Sequence, residues 1–279
     1  EWMRRGAQAR TTKAKGRIER FHQLEDSKLV VNNTSMEMKS VSSRLGKKII
    51  ELAHVSKAFD GVPVIADFTY TVLRSDRIGI IGENGSGKST LLKLLTGELT
   101  PDSGSVEIGE TVKIGYFSQE NEHMDKSLRV IEYICGIAHN VKTEDGYASA
   151  SQMLERFLFP PHMHSIPVGR LSGGEQRRLY LLGILMSAPN VLLLDEPTND
   201  LDIDTLCILE DYLDSFAGIV IAVSHDRYFL DNIVDRIFAF EGNGHLTQYE
   251  GGYTDYTEAL ARKGGAVSEG QSTAVGAEK

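Results

Sequence analysis

Gly82-Glu83-Asn84-Gly85-Ser86-Gly87-Lys88-Ser89-Thr90 fits the pattern G-x-x-x-x-G-K-[ST], and the residues on either side decide which fold can carry it. Before it, Arg77 to Ile81 is a short apolar run of the kind a buried parallel strand requires. After it, Leu91, Leu92, Leu94 and Leu95 give a helix one apolar stripe. A loop between that strand and that helix must curl with its backbone N–H groups inward, which suits Gly82, Gly85 and Gly87 where φ is positive or a phosphate comes close. The nest and the positive end of the helix attract phosphate. Lys88 adds a full charge for the β- and γ-phosphates, and the Ser89 hydroxyl is placed to hold Mg²⁺.

Other residues gain meaning from that loop. Val191 to Leu194 is an apolar strand that ends in Asp195 and Glu196. Neighbours at a strand end project to opposite sides, so the two carboxylates are expected to do separate work. Asp195 suits a Mg²⁺ partner, usually through water, and Glu196 suits a general base that activates the water attacking a γ-phosphate. Leu171-Ser172-Gly173-Gly174-Glu175 is a second glycine-rich strip at a helix start and a second anion site. It lacks a lysine of its own and lies far along the chain, which points to a site completed by another subunit or domain. Gln119, just past the strand 112–117, offers an oxygen to Mg²⁺ or water. His225, after the strand 219–223, can donate to a γ-phosphate oxygen. Phe59 is an aromatic ring that could stack on adenine or fill a core.

Strands alternating with helices around a phosphate loop give an α/β fold. A β-rich section is expected over residues 48–55 and 62–72, where Phe68, Tyr70 and Val72 alternate with polar neighbours, and further strands over 105–108 and 112–117. From Ser127 to Phe159 the period becomes helical, an insertion closed by Pro160-Pro161. Helices follow over 173–186 and 205–216. Strands 236–240 and 245–249 close the sheet, with a last helix over 253–261 and a disordered tail from 263.

The chain has 279 residues, 41% hydrophobic and 25% charged, as in a globular protein able to bury one large core or two modest ones. It has no run of 18 apolar residues and no apolar segment at its start, so neither membrane insertion nor a secretory leader is expected. Cys135 and Cys207 sit in apolar helical patterns and read as reduced thiols of a cytoplasmic protein. The first residue is Glu1 rather than Met, as in a piece of something longer. Net charge is −9, yet residues 1–20 hold seven Lys or Arg against two Glu, a cationic arm on an acidic body that suggests a polyanionic partner at one end. The arm reads as a helix over 1–26, followed by a polar connector over 27–47.

Phe59, GENGSGKST, Gln119, LSGGEQRR (Leu171 to Arg178), LLLDEP (Leu192 to Pro197), Asp202 and SHDR (Ser224 to Arg227) occur in that order. The chain therefore resembles the ATP-binding-cassette ATPases over about residues 48–250. The resemblance implies a P-loop NTPase fold with an antiparallel β subdomain and a helical subdomain inserted over about 127–172, in an ATPase domain spanning 48–262. It implies an ATP site made by Phe59, Gly82, Glu83, Asn84, Gly85, Ser86, Gly87, Lys88, Ser89 and Thr90, with Mg²⁺ on Ser89, Gln119 and Asp195. Catalysis falls to Glu196, Gln119 and His225. Ser172, Gly173, Gly174 and Glu175 become the signature acting on the nucleotide of a second cassette, and Asp202 the D-loop. Glu196 to Asp202 (EPTNDLD), Ser224 to Asp231 (SHDRYFLD) and the basic stretch Glu1 to Phe21 look like the ABC-F branch and its Uup-like members, cytoplasmic proteins with two cassettes that act on the ribosome. In that reading this is the second cassette with the linker before it, and Arg4, Arg5, Arg10 and Lys13 would meet rRNA or tRNA. The alternative is the ATPase subunit of a membrane transporter.

Overall fold

The computed structural model describes residues 49–119, 124–143 and 146–270, so the expected linker helix, the connector and the RNA-facing Arg4, Arg5, Arg10 and Lys13 lie outside the described residues. The described chain begins with a hairpin of β1 (Ile50–Phe59) and β2 (Val62–Val72), followed by β3 (Arg77–Ile81) and α1 (Lys88–Thr96). Next come β4 (Ser103–Ile108), β5 (Ile114–Phe117), α2 (Val130–Ile137), β6 (Asn140–Thr143), β7 (Gly146–Ser149), α3 (Ala150–Arg156) and α4 (Gly173–Met186). The last part holds β8 (Val191–Asp195), the short α5 (Pro197–Asp200), α6 (Ile203–Ser215), β9 (Ile219–Val223), α7 (Arg227–Ile233), β10 (Arg236–Phe240), β11 (Leu246–Glu250) and α8 (Tyr253–Gly270).

Two main sheets result. The larger has the order β11-β10-β3-β9-β8-β5, parallel throughout except for β11 at its edge. Its central strands are buried on both faces, and alternate residues feed two cores. Leu192, Leu194, Val220 and Ala222 pack with α4, α6, α7 and the helical section, whereas Val191, Leu193, Ile219, Ile221 and Val223 pack with α1 and the second sheet. That second sheet is antiparallel, in the order β2-β1-β4. Leu91, Leu92, Leu94 and Leu95, all at most 3% exposed, dock α1 between the sheets, each worth about 1.5–3 kcal/mol in burial. The antiparallel β subdomain and the parallel core thus match the α/β fold the sequence implies.

Two expectations need correction. The segment from Ser127 to Phe159 is not wholly helical, because a two-stranded hairpin of β6 and β7 separates α2 from α3, pairing Asn140 with Ser149 and Thr143 with Gly146. Val141 and Tyr147 favour a strand, Gly146 takes φ 124°, and Ser149 then caps α3 through a reciprocal bond pattern with Gln152. The last helix does not end at Ala261 but runs on to Gly270, into the stretch expected as a disordered tail. An Arg262–Glu258 pair at 3.1 Å, one turn apart, favours its continuation, against the cost of Gly264 and Gly265.

Candidate active site

Four parallel strands deliver the site. β3 runs into the phosphate loop, β5 leads to Gln119, β8 ends in Asp195 and Glu196, and β9 leads to His225. Their carboxyl ends lie side by side in the sheet, the place where parallel α/β folds bind ligands. The cleft there has a volume of about 500 Å³. Lys88, Ser89, Gln119, Asp195, Glu196 and His225 line it together with Phe59 from the antiparallel sheet, and Asn84, Gly85, Gly87 and Thr90 complete the wall from the loop. Phe59 is 47% exposed, so it is no core residue.

The loop is built around its lysine. Gly87 takes φ 112° as the residue before α1, and a Cβ there would sit 2.4 Å from Val64 Cγ1. No other residue fits that turn. The Lys88 ammonium is buried and donates to the carbonyls of Gly82 at 2.8 Å and Glu83 at 2.9 Å, so Gly82 and Glu83 serve the site through backbone atoms. Burial pushes the Lys88 pKa down, opposed by the nearby charges of Glu196 and Asp195.

The two carboxylates share one cleft, contrary to the expectation from strand alternation. Glu196 has left strand geometry at φ 50°, ψ 52°, a left-handed conformation worth roughly 1–3 kcal/mol of strain in a non-glycine residue. Its N–H is held by the Val223 carbonyl at 2.9 Å, and Pro197 starts α5 directly after it. That kink turns Glu196 to the same side as Asp195. Burial raises both pKa values. For Asp195 the Ser89 and Tyr116 hydroxyls and the Lys88 charge oppose the rise, and for Glu196 His225 opposes it most. His225 Nε2 lies 3.2 Å from Glu196 Oε1. The other oxygen of each acid, Asp195 Oδ1 and Glu196 Oε2, is buried without a hydrogen-bond partner, as is Ser86 Oγ inside the loop. Buried polar atoms in that condition cost about 1–3 kcal/mol each unless a ligand meets them. A divalent cation at Asp195 Oδ1 and Ser89, and a water at Glu196 Oε2, fit these vacant valences.

The glycine-rich strip lies elsewhere. Ser172, Gly173 and Gly174 are exposed, do not line the cleft, and leave open space within 4 Å of where a Cβ would stand on either glycine. Ser172 caps α4, its oxygen accepting from the Glu175 N–H at 3.3 Å while the Glu175 carboxylate accepts from the Ser172 N–H at 2.7 Å. Asp202 does not reach the cleft either. It caps α6 by accepting from the Thr205 N–H at 2.7 Å, and accepts from Arg178 at 3.1 Å.

Sequence reasoning missed Asn199 and Val64, which line the cleft, and Tyr116, whose hydroxyl donates to Asp195 Oδ2 at 3.4 Å. Asn199 stands one helical turn past Glu196, so α5 itself carried the signal. The strand pattern of β5 gave no sign of which way Tyr116 faces. Arg177 was visible as a residue of α4 and of the LSGGEQRR stretch, with no role of its own. It is 3% exposed, donates to the Ser118 carbonyl next to Gln119 and lies 4.0 Å from the Phe117 ring centre.

The family model described as ABC transporter matches residues 65–199. The chain is 52% identical over 263 residues to the Bacillus subtilis (strain 168) protein named uncharacterized ABC transporter ATP-binding protein YfmR, covering 94% of this chain and 42% of that protein. It is 38% identical to the ATP-binding protein Uup of Escherichia coli (strain K12), over 91% of this chain and 40% of that one. It is also 38% identical to the energy-dependent translational throttle protein EttA of the same strain, over 95% of this chain and 48% of that protein. The chain thus spans less than half the length of these relatives. Among solved structures, an ATP-binding subunit of an ABC transporter superposes with a TM-score of 0.63 at 19% identity, covering 77% of this chain and 94% of that one. A dimeric ATP-binding cassette holding ADP and phosphate after hydrolysis gives 0.58 at 22% identity, covering 72% and 98%. With the phosphate loop, the paired acids and His225 gathered at one sheet edge and relatives of this kind along nearly its whole length, the chain belongs to the ATP-binding-cassette ATPases.

Proposed function

We propose that this chain binds and hydrolyses ATP as one half of a two-cassette sandwich, and that the protein it belongs to is a cytoplasmic ABC-F protein acting on the ribosome. The observation that carries the first part is the convergence on one cleft of Lys88, Ser89 and two buried carboxylates, each with an oxygen left unpartnered. The triphosphate lies along the loop from Gly82 to Thr90, with Lys88 exchanging its two loop carbonyls for phosphate oxygens. Phe59 stacks on the adenine ring. Ser89, Gln119 and Asp195 would hold Mg²⁺, which supplies charge neutralisation at the β- and γ-phosphates. Glu196 accepts a proton from the attacking water, its raised pKa bringing it nearer to neutral pH, and His225 at 3.2 Å holds that carboxylate and faces the γ-phosphate. The exposed Ser172–Glu175 strip meets the nucleotide of the facing cassette.

Support for the ribosomal role is the likeness to Uup and to a protein named a translational throttle, together with the cationic arm, for which Arg4, Arg5, Arg10 and Lys13 are the proposed rRNA or tRNA contacts. A transporter ATPase shares the same core, but the solved transporter cassettes agree at only 19–22% identity and speak for the fold alone. Among the described residues no helix is long and apolar enough to cross a membrane.

Glu196→Gln tests the chemistry. It should keep ATP binding and slow hydrolysis at least about a hundredfold, as loss of a general base does; near-normal turnover refutes the assignment. Lys88→Ala should weaken ATP binding itself in equilibrium titration, and unchanged affinity would remove the phosphate loop from the account.

A further inference from the structure

Phe59 stands in the cleft wall with nearly half its surface exposed, so its place is set largely by its backbone. On one side that backbone is fixed by the two-residue turn of Asp60 and Gly61, at φ 49° and 80°, which pairs Phe59 with Val62. On the other side β1 is irregular. Its register slips against β2 between Leu52 and Ala58 and against β4 between Ala53 and Ser56, so the ladder alone does not define the approach to Phe59.

Asp102, in the turn before β4, supplies a different hold. Its N–H donates to the Ser56 carbonyl at 2.9 Å, its Oδ1 accepts from Lys57 Nζ at 2.6 Å, and its Oδ2 accepts from the Ala58 N–H at 2.8 Å. One residue thereby grips the three consecutive residues that lead to Phe59. Lys57, anchored in this way and mostly buried, lies 5.6 Å from the centre of the Phe59 ring. The bond from Lys57, then that from the Ala58 N–H, hold the Asp102 carboxyl below its usual range, so the grip is made by the ionised form.

The geometry points to Asp102 as a positioning residue for nucleotide binding: it fixes Ser56 to Ala58 so that the Phe59 ring is presented to the base, and is not itself among the residues lining the cleft. This rests on the reading of Phe59 as the base-stacking residue. The grip serves the base end only. Binding of the phosphates at Lys88 is independent of it.

The test is calorimetric titration of ADP, with inorganic tripolyphosphate as a ligand lacking a base, against wild type, Asp102→Ala, Asp102→Asn, Phe59→Ala and the double variant Phe59→Ala/Asp102→Ala. Asp102→Ala should weaken ADP roughly 3- to 10-fold, about 1 kcal/mol, and leave tripolyphosphate within about twofold. Asp102→Asn, which keeps an oxygen for the Ala58 N–H, should fall between. In the double variant the Asp102 change should add nothing to the loss from Phe59→Ala, as expected for two residues acting through one contact. With ATP turnover as readout, the loss should fall on KM rather than kcat. If Phe59→Ala weakens ADP and Asp102→Ala does not, the role of Asp102 is overturned. It is equally overturned if tripolyphosphate weakens as much as ADP or if the two losses add. If Phe59→Ala itself leaves ADP binding unchanged, the stacking reading beneath it fails instead.

Discussion

At the scale of the residue, Glu196 combines backbone strain, burial and an unpartnered oxygen in one place. Each of these lowers stability, and each has a use once a nucleotide and a water are bound. The pH dependence follows from the direction of its pKa. The folded state holds the Glu196 proton more tightly than the unfolded chain does, so stability falls as pH rises from the ordinary glutamate range through the raised folded value. Below the unfolded pKa both states are protonated and the penalty vanishes. His225 and Lys88 offset part of the cost, while Asp195 adds to it. Glu196→Gln, which cannot ionise, should therefore melt higher than wild type at pH 8, by roughly 2–4 °C for each kcal/mol relieved. The difference should close near pH 4. Thermal unfolding at several pH values checks this, and a variant that melts lower at pH 8 would contradict the argument. The sequence announced which acids matter here, because an apolar strand ending in two carboxylates stands out. It did not announce that they face the same way, since the kink at Glu196 is a tertiary outcome held by Val223 on the neighbouring strand.

At the scale of the element, β1 and β4 meet at a point of very close approach. Gly104 takes φ 81°, and a Cβ on it would lie 2.2 Å from the His54 carbonyl oxygen and 2.4 Å from that of Ala53, where β1 bulges and His54 itself takes φ 52°. Gly104→Ala should cost on the order of 1–3 kcal/mol, seen as a lower denaturant midpoint at unchanged slope; a midpoint equal to wild type would show that the strands can part without penalty. Elements dense in apolar residues were legible in the chain: α1, α4, β8 and β9 stand where those residues put them. The hairpin of β6 and β7 was not, because four-residue strands embedded between helices leave too short a pattern to outvote their surroundings. The bulges of β1 were hidden for another reason. They depend on what Asp102, in the turn before β4, and Gly104, near the start of β4, do some forty to fifty residues later.

At the scale of the whole molecule, the cleft holds one set of phosphate-binding groups, while the strip at the start of α4 faces open space. On the proposed two-cassette reading, ATP turnover per chain should rise with protein concentration as chains pair, and be slow when sedimentation shows only monomer. Fast turnover by a demonstrated monomer would contradict it. α4 carries that outward strip at its tip, and on the next turn Arg177 and Arg178 are bonded to the Ser118 carbonyl beside Gln119 and to Asp202. A rigid rod pinned in this way behaves as a lever with its fulcrum inside the molecule. On the proposed two-cassette reading, a shift of Gln119 or Asp202 on filling one pocket would tilt the tip offered to the facing half, so neither half would change occupancy privately.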